Sequence, residues 1–196
     1  MPEYILNNLD REFFFNQYIS TYIEKDVSSA IESGNKSTFL KFLSYIALRT
    51  SAQIDYEDIS RNIGIDVRTV KRWLSILETS GIIVLLEPFS SNLSDRLIKT
   101  PKLYFMDTGL CSFLCKWPNA EMLENGIMNG AFYETYVVSE IIKSYYNTGK
   151  EIKISNNIYY YRDKDQKEID LIIEDVAHYI LLKLKKASIV FQIKKF

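Results

Sequence analysis

Two acids and two lysines in the C-terminal third have the types and the order to do chemistry: Glu134, Asp170, Lys183 and Lys185. Glu134 falls in the helix-periodic stretch AFYETYVVSEIIKSYYN. Asp170 ends KEID, just inside a strand-like run, and the two lysines lie two residues apart on the next run. Alternate strand residues share a face, so Lys183 and Lys185 point the same way. A helix Glu, a strand Asp and an acid-x-Lys on the adjoining strand is how magnesium-dependent nucleases gather charge. The carboxylates hold the ion, and the lysine stabilises charge or orients the attacking water. Here the acid of the acid-x-Lys is missing, because Lys183-Leu184-Lys185 stands there. The expected catalytic set is therefore a degenerate one, Glu134, Asp170 and Lys185. No metal site is expected beyond Glu134 and Asp170 as weak candidates. Each residue also has a plain reading: a solvated helix acid, a strand-edge acid, and lysines on a solvent face.

A second constellation is basic. In YEDISRNIGIDVRTVKRWLSILETSG, residues 56–81, Gly64 can take φ > 0 at no steric cost, and Asp66 can cap the helix that follows. Ile59, Ile63 and Ile65 face inward from the first unit; Val70, Trp73, Leu74 and Leu77 keep helical spacing in the second. Arg68, Thr69, Lys71, Arg72 and Ser75 lie on the other face. This is a helix-turn-helix pattern, whose second helix offers polar and basic side chains to a DNA major groove. Such a helix pair also occurs as plain scaffold. Residues 61–104 hold Arg61, Arg68, Lys71, Arg72, Arg96, Lys99 and Lys102 against Asp66, Glu78, Glu87 and Asp95, so the basic face is modest.

The elements that must position these groups follow in chain order. Phe14, Tyr18, Ile19, Tyr22, Ile23, Val27 and Ile31 recur at three- and four-residue steps, an aromatic helical face at the N-terminus. Ser33-Gly34-Asn35 breaks it, and Asn35 or Ser37 caps a second helix with Phe39, Phe42, Leu43, Ile46 and Ala47 inward. Gly34-Asn35-Lys36-Ser37 ends like a phosphate-binding loop but lacks its leading glycine and preceding strand, so no nucleotide cradle is expected. Runs 82–88 and 96–106, joined by a polar loop, form the hairpin of a winged helix, with Arg96 and Lys99 on the DNA backbone. Asp107-Thr108-Gly109 stops the second run and caps a helix near Leu110. Residues 119–129 read as a linker. The helix from Gly130 turns Phe132, Tyr136, Val137, Ile141 and Tyr145 inward. Runs 151–154, 157–162, 168–174 and 178–184 then form an antiparallel meander.

The 196-residue chain is 47% hydrophobic, with 7 Gly and 4 Pro, which argues for a folded chain. Its net charge of −1 supplies no global field toward nucleic acid, so DNA contact must come from a local patch. The cysteines are Cys111 and Cys115 and the single histidine is His178, too few for a tetrahedral zinc site. Free thiols and the lack of a long apolar run point to a cytoplasmic chain with no membrane partner.

Several stretches together resemble bacterial and archaeal ATPases that carry a C-terminal DUF4143 region: TYIEKDV (21–27), VRTVKRWLSILE (67–78), KTPKLYFMDTGL (99–110), GAFYETYVVSEI (130–141), YYRDKDQKEIDLII (160–173) and the end at 185–187. The resemblance covers about residues 12–187. It implies a P-loop ATPase domain, a winged helix, then a domain similar to PD-(D/E)XK nucleases with Glu134, Asp170, Lys183 and Lys185 at its site. The sequence departs from that pattern at Lys183, where the family has Glu, and in its tail ASIVFQIKKF, which does not look like the family's remaining helix and strand. The resulting expectation is an α+β chain, with residues 1–118 helical and winged-helix and residues 119–196 nuclease-like and incomplete. The chain is expected to be a stand-alone C-terminal portion of a longer protein or a truncated reading frame. Its expected role is DNA binding within an ATPase assembly, without catalysis. The alternatives are a magnesium-dependent nuclease and a protein–protein or oligomerisation module. Expected partners are double-stranded DNA and a P-loop ATPase domain or a second copy. No cofactor is expected in this chain: magnesium would enter only with an active nuclease-like site, ATP only with the further domain.

Overall fold

The structure is a computed structural model and describes residues 10–22, 25, 27, 35–89, 100–149, 157–163, 165–175, 178–185 and 188–195. It is mixed α and β, with two small antiparallel sheets. The helices are α1 (Arg11–Tyr22), α2 (Lys36–Ala47), α3 (Tyr56–Ile63), α4 (Val67–Thr79), α5 (Thr108–Leu114), α6 (Ala120–Glu124) and α7 (Asn129–Asn147). The strands are β1 (Ile83–Leu86), β2 (Lys102–Phe105), β3 (Ile158–Arg162), β4 (Glu168–Asp175), β5 (His178–Lys185) and β6 (Ser188–Lys195).

The first core is an aromatic one. Phe39 and Phe42 sit one turn apart on α2, and each meets the Trp73 ring of α4 edge-on at 5.2 Å between centroids. That geometry suits the ring quadrupoles. Val70, Leu74 and Leu77 complete the buried face of α4, while Phe15 of α1 stacks on Phe113 of α5. Asp107 caps α5 by accepting from the Leu110 N–H at 2.7 Å, as its place before Thr108-Gly109 predicts. Asn119 caps α6 in the same way, so the expected linker contains a helix.

The β1–β2 hairpin divides two cores. Its register pairs Ile83 with Phe105 and Leu86 with Lys102. Strand side chains alternate, so Leu103 and Phe105 enter the helical core while Tyr104 enters a second core with Val138 and Ile142 of α7 and Leu171 of β4. Every residue of β2 is buried, Lys102 included.

The second sheet runs β3-β4-β5-β6, all antiparallel. The outer edge of β3 is bonded to the segment after β1: Tyr160 N–H donates to Glu87 O at 3.1 Å, and Phe89 N–H to Tyr160 O at 2.6 Å. The tail is a strand, β6, paired with β5 from His178↔Lys195 to Lys185↔Ser188. The resemblance alone does not anticipate this strand, which owes its place to its partner β5. Residues 23–34, apart from Lys25 and Val27, and the expected strand 151–154 lie outside the described residues.

The buried face of α7 differs from the aromatic one expected. Phe132, Thr135, Val138, Ser139 and Ile142 are covered, and Tyr136 is 54% exposed. Small residues let the helix approach the sheet closely, and the Thr135 hydroxyl is satisfied by Thr50 Oγ1 at 2.8 Å and by Ala131 O at 2.7 Å. Tyr133 and Tyr145 are half-buried and pack against the second core from its border.

Candidate functional site

Two charged regions emerge, and they are built in opposite ways. In the first, the turn between α3 and α4 holds Gly64 at φ 78° and lets Ser60 Oγ donate to Ile65 O at 2.6 Å. Asp66 then accepts from the Thr69 N–H at 2.9 Å and from the Thr69 hydroxyl at 2.7 Å. Those bonds, side chain first, hold the Asp66 carboxyl below its ordinary value. Thr69 is therefore committed to the cap. Arg68, Lys71, Arg72 and Ser75 lie on the outer face of α4. Lys71 lies 5.2 Å from the Tyr56 ring centroid. Among the described residues neither Arg68 nor Arg72 pairs with a carboxylate, whereas nearby Arg49 bonds Asp58 at 3.0 Å and Arg61 sits 3.9 Å from it. The Tyr45 hydroxyl, at 2.5 Å, leads the groups that lower the Asp58 carboxyl. Arg96 and Lys99 lie outside the described residues.

In the second region the charges are inside. The alternation of β2 sends Lys102 toward α7 and β4, where its side chain is only 4% exposed. Its ammonium lies 2.9 Å from Glu134 Oε1, contacts the Glu168 carboxylate, and sits 5.6 Å from the Tyr160 ring centroid. The Tyr104 hydroxyl donates to the same Glu134 oxygen at 2.7 Å. Two residues along β4 from Glu168, Asp170 accepts from Lys183 Nζ at 2.7 Å and from the Leu184 N–H at 2.6 Å.

Burial sets the titration of this cluster. It pulls the Lys102 ammonium down, but Glu134 and Glu168 outweigh it, and the net shift is up. Burial raises Glu134 against the opposing pull of Lys102 and Tyr104, with Asp170 adding to the rise. Burial first, then Glu134, pushes the Tyr104 phenol well up.

Glu134 and Asp170 thus lie within one electrostatic field. Lys183 is bonded to Asp170, and of Lys185 only the backbone, at the end of β5, is described. Sequence reasoning misses Lys102, Tyr104 and Glu168. Glu168 had a signal, since it precedes Asp170 by two and shares its face. Lys102 had one too, as a lone charge in the apolar strand KLYF. The residues present do not fit a divalent ion. One oxygen each of Glu134 and Glu168 lies against the Lys102 ammonium and one of Asp170 against that of Lys183, and among the described residues no group of three or more His, Cys, Asp or Glu could hold a metal.

A family model described as a domain of unknown function, DUF8612, matches residues 1–121, and the chain belongs to that family. A second model, the domain of unknown function DUF4143, matches residues 129–191. Among curated proteins the chain is 24% identical over 182 residues to "Uncharacterized protein Rv2008c" of Mycobacterium tuberculosis and, to the same extent, to "Uncharacterized protein Mb2031c" of Mycobacterium bovis. The match covers 93% of this chain and 40% of each relative, so the chain spans well under half their length. No solved structure matches. No helix among the described residues is long and apolar enough to cross a membrane.

Proposed function

We propose that the chain is a double-stranded DNA-binding module of a larger protein, with α3 and α4 as a helix-turn-helix and β1–β2 as the root of a wing. The observation that carries this reading is a pair of guanidinium groups, Arg68 and Arg72, one turn apart on the outer face of a capped helix and paired with no carboxylate among the described residues. Lys71 and Ser75 extend the same surface. An exposed cation that no carboxylate neutralises is free to displace counterions from a phosphate backbone, which makes binding steeply salt-dependent. Arg49 and Arg61, already engaged by Asp58, belong to the scaffold in this reading.

The lysine-neutralised cluster supports a non-catalytic C-terminal half. Lys102 and Lys183 supply from within the charge that a divalent ion would bring. The cluster joins β2 to α7 and β4, and so anchors the hairpin that follows α4 against the second sheet. The ATPase context stays a proposal resting on the resemblance of the motifs and on the extra length of the curated relatives. A salt-dependent anisotropy titration of labelled duplex DNA tests the reading. Binding that weakens in Arg68→Ala/Arg72→Ala supports it, and unchanged binding overturns it.

A further inference from the structure

A groove of about 690 Å³ opens on the helical unit, between α1, α2 and the segment that follows α5. Its floor is apolar, built from Ile19, Leu40, Leu114 and Trp117. Its size falls within the roughly 300–1,000 Å³ of small-molecule sites. Among the described residues the rim carries Arg11, Lys36 and Lys116 against a single acid, Glu12. None of the three cations pairs with a carboxylate among the described residues.

Arg11 makes the pattern more than a wet rim. It is half-buried and lies 5.8 Å from the Phe113 ring centroid. Its guanidinium reaches only neutral acceptors, Trp117 O at 2.7 Å and Ser112 Oγ at 2.8 Å, with Pro118 O at 3.4 Å. A cation withdrawn from water normally has a counter-charge. The indole N–H of Trp117 is closed off from solvent and has no acceptor among the described residues. The ring is backed by Gly126, where a Cβ would come within 2.3 Å of it, so the indole cannot retreat on that side. A cationic rim that no carboxylate among the described residues balances, over an apolar floor, calls for a molecule with an anionic head and an apolar body.

We propose that this groove binds an amphiphilic organic anion, its carboxylate, sulfonate or phosphate head at the Arg11–Lys116 rim and its apolar body along Ile19, Leu40, Leu114 and Trp117. The site is separate from α4 and does not depend on DNA binding. Among the described residues Lys36 and Lys116 make no ion pair, so reversing their charge is expected to leave the fold intact, which far-ultraviolet circular dichroism checks.

Calorimetric titration of the full chain with decanoate, decanol and decyltrimethylammonium, each below its micelle concentration, is the test. Decanoate is expected to bind at least about tenfold more tightly than the cationic chain, and Lys36→Glu/Lys116→Glu to weaken decanoate by about tenfold. Equal binding of the three probes, no decanoate binding, or an unchanged affinity in the double charge reversal overturns the proposal. So does decanoate binding that survives the charge reversal but disappears in Arg68→Ala/Arg72→Ala, since that places the anion on α4.

Discussion

The cations of α4 and the cations of the α7–β4 cluster are similar residue types in opposite settings. Arg68 and Arg72 lie on an outer face, unpaired among the described residues; Lys102 is buried between two carboxylates. The first arrangement leaves charge for a partner. The second uses it inside the fold, where an ammonium must be paired to be tolerated at all. Counting Lys and Arg along the chain merges the two, and Lys102 then looks like one more basic residue of the segment proposed to face DNA. Its strand face and burial assign it to the scaffold.

The sharpest way to break that contrast is Lys102→Met. It strands Glu134 and Glu168 in a buried site, and removing one partner of such a pair costs about 3–5 kcal/mol. Urea unfolding should report that cost. A change under about 1 kcal/mol would mean that the cluster is solvated and the contrast false. Adding Glu134→Gln and Glu168→Gln removes the stranded charges and should recover much of the stability. Asp170→Asn comes next, at about 1.5–3 kcal/mol, because it removes the charged acceptor of Lys183 and the Leu184 N–H.

A smaller effect is expected at the cap. Asp66→Ala should lower the unfolding midpoint by less than Asp170→Asn, because Asp66 is solvent-accessible. Titration adds a sign. The Asp58 and Asp66 carboxyls lie below their ordinary 3.8, so the stability they contribute is intact above that pH and is lost as pH falls through their lower folded values. Glu134 is raised from 4.5, so its contribution is present below that pH and is lost as pH rises through its folded value. Asp66→Asn, which keeps an acceptor that does not titrate in this range, should flatten the acid limb below 3.8. Glu134→Gln should instead flatten the dependence above 4.5. Identical acid limbs in the two variants would contradict the assignment.

How much of this is legible in the sequence depends on the range of the interactions. The Gly64 turn and the caps at Asp66 and Asp107 are local, each made within about one helical turn, and their residue types state them. The apolar periodicity of α4 is local too. The buried face of α7 is not. Weighting Tyr136 as core overlooks that Thr135 and Ser139 take the buried positions, with Thr135 bonded to Thr50 from a distant turn, whereas Tyr145 does pack against the second core. Of the cluster, Glu134 and Asp170 are readable by type and order. Lys102 reaches them only because the β1–β2 hairpin stands between two cores, and no spacing along the chain encodes that. The strand in the tail is hidden for the same reason, since its face is defined by its pairing with β5.

The central claim is that α4 keeps its cations for a nucleic-acid backbone. Anisotropy of a labelled duplex across a range of salt concentrations tests it most directly, comparing the unaltered chain with Arg68→Ala/Arg72→Ala. The expected result is weaker binding and a log–log salt slope shallower by about 1–2, near 0.9 for each phosphate that is no longer neutralised, with stability within about 0.5 kcal/mol of the parent. Equal affinity and equal slope in the two proteins, or no salt-dependent binding by the unaltered chain, would contradict it.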